Sequence, residues 1–340
     1  MNSVPASTPA ALQPADPSNV STRTDGLEPL ALLCFEGAFN LPVWIAQQRG
    51  FFEEQGVTVS MSYTKGSVDM INRLQEGTAQ LALTSIDNVF AYTRGQGETR
   101  DGRMSDLMAF MGGDAGFLSL VARPGLASVD ALRGRTLSVD AMSTGFAFVL
   151  RDMLAHHAVA QDEVTFVAAG GTGNRYRELI AGRHDATLVR SPFDTLAQQQ
   201  GFVALRRSRD HYPAYLGTVG AVRQTWADAH PDALQGFLLG YRRALNWIFD
   251  TANAAACAEV LRSEFAGLDP AAAQAVYREL IDPAHGLIRD MDIPEAAARQ
   301  VLRLRDHYTS HPPGDDALPP CIDLRYVQRA RQHAAWQDVR

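Results

Sequence analysis

The chain has 340 residues, of which 46% are hydrophobic and 20% are charged, as in an ordinary folded globular protein. This composition excludes fibrous, collagen-like and wholly disordered chains, and the length suffices for two compact lobes. The net charge of −7 argues against a general nucleic-acid-binding protein, which usually presents a basic face. Lys65 is the one lysine; every other basic residue is arginine.

The first 26 residues are rich in Pro, Ser, Thr and Ala, which is typical of a disordered tail. They lack the basic and apolar regions of a secretory signal. No apolar run approaches the length of a membrane span. The cysteines Cys34, Cys257 and Cys321 form no CxxC pair, so the sequence predicts neither a disulfide framework nor a metal site.

Short apolar runs then alternate with segments of helical spacing, the pattern of a parallel sheet with helices on its faces. The first predicted strands are Leu30–Phe35, Val57–Tyr63 and Leu81–Thr84. The predicted helices are Pro42–Gln48, with Asn40 as its cap, Ser67–Gln75, with Ser67 as its cap, and one that begins at Asp87. Gly50 and Gly77 end the first two helices.

The same order of elements returns 105 positions later, where Leu32 aligns with Leu137 and Gly77 with Gly182. Between the two copies, Leu107–Met111 and Phe117–Ala122 predict a crossover. Tyr215–Val222 predicts the return crossover, and helices follow from Arg223. We predict two α/β lobes, each with a mostly parallel sheet flanked by helices, and two crossover strands as a hinge. Lobe I is residues 27–116 plus 222–334, lobe II is 117–221, and 335–340 is a tail.

The loops after the predicted strands are the candidate site, because ligands of open parallel sheets bind beyond the carboxyl ends of the strands. Cations there suit an anionic group, hydroxyls at helix starts add donors, and phenylalanines could enclose an apolar body. Carboxylates would repel a bare inorganic anion such as nitrate. The candidate ligand-binding residues are Glu36, Phe39, Asn40, Lys65, Gly66, Ser67, Ser85, Asp87, Asn88, Phe117, Ser143, Thr144, Gly145, Phe146, Arg190, Ser191 and Phe193.

Each candidate also has an ordinary structural explanation. The polar residues at helix starts can be caps, and the phenylalanines can be core residues. Gly170–Gly173 lacks the third glycine of a dinucleotide-binding loop. His156 and His157 lie at the end of a predicted helix with no metal-like partner, which favours a surface position.

Leu41–Val57 resembles the Ala-x-x-x-Gly-Phe-Phe-x-x-x-Gly-Leu stretch of ABC-transporter solute-binding proteins that bind nitrate, alkanesulfonates, taurine and thiamine pyrimidine precursors. Gly77–Ala82, Asp130–Leu137 and Pro192-Phe193 are similar to that family too. The resemblance implies a type II periplasmic-binding-protein fold, a small organic anion or zwitterion in a hinged cleft, delivery to ABC permease subunits, and a monomer without cofactor or chemistry.

Alternatives stay open for both the location and the function. The resemblance implies a periplasmic location, whereas the missing signal leaves a cytoplasmic one possible. The family also has cytosolic enzymes, a pyrimidine synthase and a desulfinase. On that hypothesis Cys34 would be a nucleophile, or Lys65 would form a Schiff base. Against it, Cys34 lies within an apolar run, the position of a small buried residue. A regulator's effector domain is the third hypothesis, and no helix-turn-helix pattern supports it.

Overall fold

The computed structural model describes residues 26–100, 102–309 and 318–337. The predicted tail at 1–26, apart from Gly26, and the last three residues of the predicted tail at 335–340 lie outside these ranges. Within them the chain forms two five-stranded sheets, each flanked by helices. None of the described helices is both long enough and apolar enough to cross a membrane.

The first sheet has the strand order β2-β1-β3-β10-β4. Strands β1, β2 and β3 are parallel, and β10 is antiparallel to both of its neighbours. Its strands and the helices between them are β1 Glu28–Cys34, α1 Leu41–Gln48, β2 Val57–Tyr63, α2 Ser67–Gln75, β3 Leu81–Ser85, α3 Ile86–Thr93, β4 Leu107–Gly112 and β10 Thr218–Arg223.

The second sheet repeats this arrangement in the order β7-β6-β8-β5-β9. Strands β6, β7 and β8 are parallel, and β5 is antiparallel to both of its neighbours. Its elements are β5 Leu118–Ala122, β6 Thr136–Val139, α4 Gly145–His156, β7 Thr165–Ala168, α5 Thr172–Ile180, β8 Ala186–Arg190, α6 Phe193–Gln199 and β9 Val203–Arg207.

The predicted repeat is a structural one. Strand β3 and helix α2 reappear as β8 and α5 at an offset of 105 residues. Residues 113–117 and 208–217 cross between the sheets, and the strand that follows each crossover pairs antiparallel with the third strand of the parallel set. The division into lobes stays a prediction. Since β10 begins at Thr218 in the first sheet, we propose that lobe I resumes there rather than at 222.

Among the described residues, seven further α-helices follow β10. They are α7 Gln224–Ala229, α8 Pro231–Phe249, α9 Ala254–Glu264, α10 Pro270–Leu280, α11 Glu295–Thr309, α12 Arg325–Arg331 and α13 Ala334–Gln337. Of these, α7, α8 and α12 pack on strands of the first sheet. Helix α11 contacts both α3 of lobe I and α4 of lobe II. Tyr308 of α11 stacks on Phe148 of α4, with ring centroids 5.7 Å apart. The C-terminal part of the chain thus touches both lobes.

Strand β1 shows why these apolar runs become buried strands. Leu30, Leu32 and Cys34 face the core under α1 and α8, whereas Leu33 faces the core under α2 and α3. Side chains of a strand alternate between its two faces, so a strand covered by helices on both sides is apolar throughout. The position of Cys34 follows from this alternation and requires no chemical role.

The Phe51-Phe52 pair places the chain after α1 against α8. Phe52 is fully buried and stacks on Phe237, with ring centroids 5.4 Å apart. A Cβ at Gly240 would lie 2.5 Å from Phe52 Cδ1, so glycine is needed there for the close approach. Gly56 then adopts the left-handed conformation, with φ of 80°, and turns the chain into β2.

The helix starts agree with the predicted caps only in part. Asn40 occupies the predicted cap position of α1, but its side chain donates to Phe35 O at 2.8 Å and makes no capping hydrogen bond. Ser67 is the first residue of α2 rather than its cap, which is Gly66. Helix α3 is capped by Ser85, whose Oγ accepts from Asp87 N at 3.3 Å. Asp87 is therefore free for another role, described below.

We expect Phe52→Ala to lower the free energy of unfolding by about 3–5 kcal/mol, because it leaves a cavity beside Phe237 of α8. Urea denaturation followed by circular dichroism measures the loss. Met104→Ala is the control, since Met104 is 68% exposed and its truncation should change stability by less than about 0.5 kcal/mol. A loss under about 1 kcal/mol for Phe52→Ala would contradict this packing.

Candidate ligand-binding site

A cleft lies between the two sheets, where the loops after their parallel strands face each other. Its inner chamber is narrow in this closed state, with a cavity of about 30 Å³. Both lobes contribute to its walls. The lining residues are Phe35, Phe39, Leu83, Thr84, Ser85, Asn88, Asp140, Thr144, Gly145, Phe146, Gly171, Thr172, Arg175 and Arg190.

Arg190, at the end of β8, connects this chamber to the hinge. It is 3% exposed; its Nη2 donates to Asp114 Oδ2 at 2.6 Å and its Nη1 to Thr218 Oγ1 at 2.7 Å. Asp114 lies in the first crossover, and Thr218 opens the strand after the second. The guanidinium Nε is buried without a hydrogen-bond partner in the described structure. Arg190 therefore has a neutralised charge and one free donor.

Aromatic rings form the apolar part of the chamber. The Arg190 guanidinium lies 3.9 Å from the centroid of the Phe39 ring and 5.9 Å from that of Phe146. Phe39 comes from lobe I and Phe146 from lobe II, and Phe35 adds a third, half-buried ring. Rings on both sides of a narrow space suit a flat apolar body.

Arg175 is the second buried cation of the chamber. Its guanidinium donates to Gly170 O and Leu188 O, both at 2.9 Å, and to Thr172 Oγ1 at 3.3 Å. Asp140 Oδ1 lies 3.8 Å from Arg175 Nη1, which is close enough for an ion pair and too far for a hydrogen bond. The Thr144 hydroxyl also donates to Asp140. Burial raises the pKa of the Asp140 carboxyl, although Arg175 opposes this shift.

An outer chamber of about 420 Å³ continues the cleft towards solvent and shares Phe35, Gly171 and Thr172 with the inner one. Lys65 lies in its wall and is exposed. The opposite wall is the N-terminal turn of α5, residues 170–174, where unpaired N–H groups favour an anion. This turn contains no acidic residue.

The two lobes are closed on each other. Ala38 N donates to Ser191 O at 2.9 Å across the cleft. Arg177 of α5 pairs with Glu36 of lobe I at 3.3 Å. A Cβ at Gly145 would lie 2.6 Å from Asp87 Cβ, so the lobes approach to backbone distance there. In this closed state a ligand in the inner chamber would be almost surrounded by protein.

Asp87 and Arg305 form a further closure contact beside the chamber. Arg305 of α11 donates to both Asp87 oxygens at 2.7 and 2.6 Å, and both residues are buried. The same guanidinium donates to Ser143 O of lobe II at 3.1 Å. Asp87 is thus the counter-ion of a residue far away in the sequence and no ligand acceptor in this state.

The predicted site residues fall into four groups. The inner chamber contains Phe39, Ser85, Asn88, Thr144, Gly145, Phe146 and Arg190. Glu36 and Lys65 lie in the outer chamber, while Ser67 and Ser143 line a recess next to Arg305. Neither chamber is lined by Asn40, Gly66, Asp87, Phe117, Ser191 or Phe193.

In this conformation the rings of Phe117 and Phe193 lie outside both chambers. Phe117 borders a small pocket at the hinge. Phe193 is a core residue between Tyr176 and Phe265, with ring centroids 5.2 and 5.6 Å away. Ser191 is buried, and its carbonyl accepts from Ala38 N of lobe I.

The sequence prediction missed Asp140, Arg175 and Phe35, although two signals were present. Phe35 and Asp140 occupy equivalent positions in the 105-residue repeat, at the ends of β1 and β6. Arg175 is equivalent to Met70, which is fully buried in α2. A charged residue at a core position of a helix needs buried partners, and this could have pointed to the chamber.

The family model for NMT1/THI5-like proteins matches residues 40–255. The chain belongs to this family. No curated protein matches the sequence.

Solved structures share the family's fold at low sequence identity. The periplasmic nitrate-binding protein NrtA from Synechocystis PCC 6803 has a TM-score of 0.76 at 12% identity, over 90% of this chain and 89% of that one. The alkanesulfonate-binding protein SsuA from Xanthomonas axonopodis pv. citri, bound to MOPS, has 0.68 at 14%, over 87% and 98%. The desulfurization enzyme DszB has 0.59 at 14%, over 89% and 98%. The predicted type II periplasmic-binding-protein fold is confirmed.

We expect Asp114→Ala to lower the free energy of unfolding by about 3–5 kcal/mol, because it leaves the Arg190 charge buried without its partner. The double variant Asp114→Leu/Arg190→Met removes both charges and should recover most of that loss. Urea denaturation of the three proteins measures the difference. A single variant within about 0.5 kcal/mol of the wild type would show that the ion pair does not support the hinge.

Proposed function

We propose that this protein is the solute-binding component of an ABC importer. It would capture a small organic anion or zwitterion with a flat apolar body and deliver it to membrane permease subunits. The observation that carries the proposal is the closed cleft, in which both lobes supply wall residues to an outer chamber of about 420 Å³, the size of a small-molecule site. Closure around a ligand works only if the ligand contacts both lobes and so favours the closed state.

The chemistry of the cleft supports an organic rather than an inorganic ligand. Phe35, Phe39 and Phe146 offer apolar surface that nitrate could not use. Lys65 has no anionic partner among the described residues, so an anionic group of the ligand would lie towards the outer chamber. The periplasm is the location this function requires, and a monomer with one cleft would suffice for it.

The proposal predicts that the charge and the body of a ligand are recognised separately. We expect Lys65→Gln to weaken binding of benzoate by about fivefold, the worth of one exposed ion pair, and to leave binding of neutral benzamide unchanged. Phe146→Ala should weaken both. Isothermal titration calorimetry measures the affinities, with Arg183→Gln as control because Arg183 is exposed and lies after the C-terminal end of α5, away from the cleft.

A wider screen of sulfonates, aromatic acids and pyrimidines by thermal shift would identify better ligands. A ligand at 100 times its dissociation constant should stabilise the protein by about 2.7 kcal/mol. If no member of these classes stabilises the protein, and native mass spectrometry finds no co-purified small molecule, the proposed function is wrong.

An enzyme with Cys34 as nucleophile is the second candidate function, and the burial of Cys34 argues against it. Cys34 is fully buried within β1, and burial raises the pKa of its thiol. A nucleophilic cysteine requires the thiolate and an approach for the substrate. Cys257 and Cys321 are buried as well, with raised pKa values.

We therefore expect no rapid reaction of the folded protein with an aromatic disulfide reagent, monitored by absorbance. In the chain unfolded by guanidinium, all three thiols should react and release the coloured thiolate. Fast labelling of Cys34 in the folded protein, suppressed by benzoate or benzenesulfonate, would favour the enzyme instead. Cys34→Ser identifies the thiol responsible.

A further inference from the structure

The inner chamber is electrically balanced before any ligand enters. Arg190 is neutralised by Asp114 at 2.6 Å, and Arg175 has Asp140 as its carboxylate partner among the described residues. The nearby Arg305 is neutralised by Asp87. An added anionic group therefore introduces an uncompensated negative charge into a buried space, which is costly.

Arg175 is the cation whose neutralisation is weakest. Its distance to Asp140 is 3.8 Å, whereas Arg190 and Arg305 hold their carboxylates at 2.6 Å. Arg175 is 1% exposed and its Nε has no hydrogen-bond partner in the described structure. A buried guanidinium with a loose counter-ion and a free donor is suited to accept a second anion.

Asp140 is placed where that second anion would affect it. Its side chain is 23% exposed, lines the inner chamber and is held on its other side by the Thr144 hydroxyl. Two carboxylates, or a carboxylate and a sulfonate, that share one guanidinium repel each other strongly, and one of them takes up a proton. A sulfonate stays ionised between pH 6 and pH 8, so Asp140 is the group that takes up the proton.

We propose that the cleft binds its anionic ligand group together with one proton: the anion takes the place of the Asp140 carboxylate beside Arg175, and Asp140 accepts a proton from solvent. The chamber then contains the Arg175 cation, the ligand anion and a neutral Asp140, and stays balanced. The protonated carboxyl also gains an O–H that can donate to a ligand oxygen. This inference rests on the proposed function.

The other titratable groups around Asp140 do not provide this proton balance. Tyr92 of α3 and Tyr215 of the second crossover face it, and burial raises the pKa of both phenols, so they stay neutral. His184 contacts the Arg175 carbonyl, and burial lowers the pKa of its imidazole. Asp114 and Asp87 already form close ion pairs with Arg190 and Arg305.

The test uses benzenesulfonate, which stays ionised over the whole pH range studied. Calorimetry in two buffers of different ionisation enthalpy measures proton uptake on binding, and we expect a value near one proton at pH 7. Linkage then requires the dissociation constant to fall by up to about tenfold for each pH unit lowered. Between pH 8 and pH 6 we expect binding to tighten by at least about tenfold.

Asp140→Asn mimics the protonated carboxyl and provides the decisive variant. It should bind benzenesulfonate at pH 8 about tenfold more tightly than the wild type and lose the pH dependence. Asp162→Asn is the matched control, since Asp162 is exposed on lobe II outside the cleft, and it should behave as the wild type. Proton uptake by the wild type tests the inference even if Asp140→Asn fails to fold.

The outcomes separate this inference from the proposed function. Wild-type binding of benzenesulfonate without proton uptake contradicts proton-linked binding alone. Weaker binding by Asp140→Asn at both pH values would make Asp140 an acceptor for a ligand N–H group and also overturn it. If neither benzenesulfonate nor benzoate binds the wild type at pH 6 or pH 8, the proposed capture of organic anions fails, and the inference fails with it.

Discussion

The arrangement of the two lobes depends on the contacts of the Arg190 guanidinium. It connects the end of β8 to Asp114 in one crossover and to Thr218 after the other, and it lies against the Phe39 ring of lobe I. Removing a charge from water is costly, so its buried position requires that Asp114 stay within hydrogen-bond distance. The backbone adapts to this constraint: Asp114 Oδ1 accepts from Gly116 N at 2.7 Å, and a Cβ at Gly217 would collide with the same carboxylate. The hinge and the chamber wall are thus parts of one ion-pair network.

The sequence predicts an anion site from cations at strand ends, whereas the structure shows that the arginines of the cleft already have carboxylate partners. Arg190 is a cation at a strand end, as expected, but its charge is already used by Asp114. Arg177 is likewise paired with Glu36. The presence of a cation therefore does not identify a ligand-binding residue. The distance between the guanidinium and its carboxylate partner does. On that criterion Arg175 with Asp140, at 3.8 Å, is the pair that a ligand can rearrange.

The fold was largely predictable because it depends on local patterns. Apolar runs such as Leu30–Cys34 have to be buried, glycines mark helix ends, and the 105-residue repeat reveals two similar units. The loops at the carboxyl ends of the strands were predictable for the same reason. The ion pairs were not, because each joins distant segments: Arg305 meets Asp87 from 218 residues away. Helical spacing also cannot distinguish a phenylalanine in the core, such as Phe193, from one in the cleft wall, such as Phe146.

Lys65 is a residue on which the sequence and the structure agree. Composition singled it out, the loop rule placed it near the ligand, and the structure puts it in the outer chamber, exposed and without an anionic partner among the described residues. An exposed ammonium attracts anions over several ångströms at little desolvation cost. Arg175, fully buried, can hold an anion strongly only after its own counter-ion has been neutralised. The two cations therefore suit successive stages of capture: Lys65 and the α5 N-terminus would orient an arriving anion, and Arg175 would hold one that has entered the inner chamber with a proton.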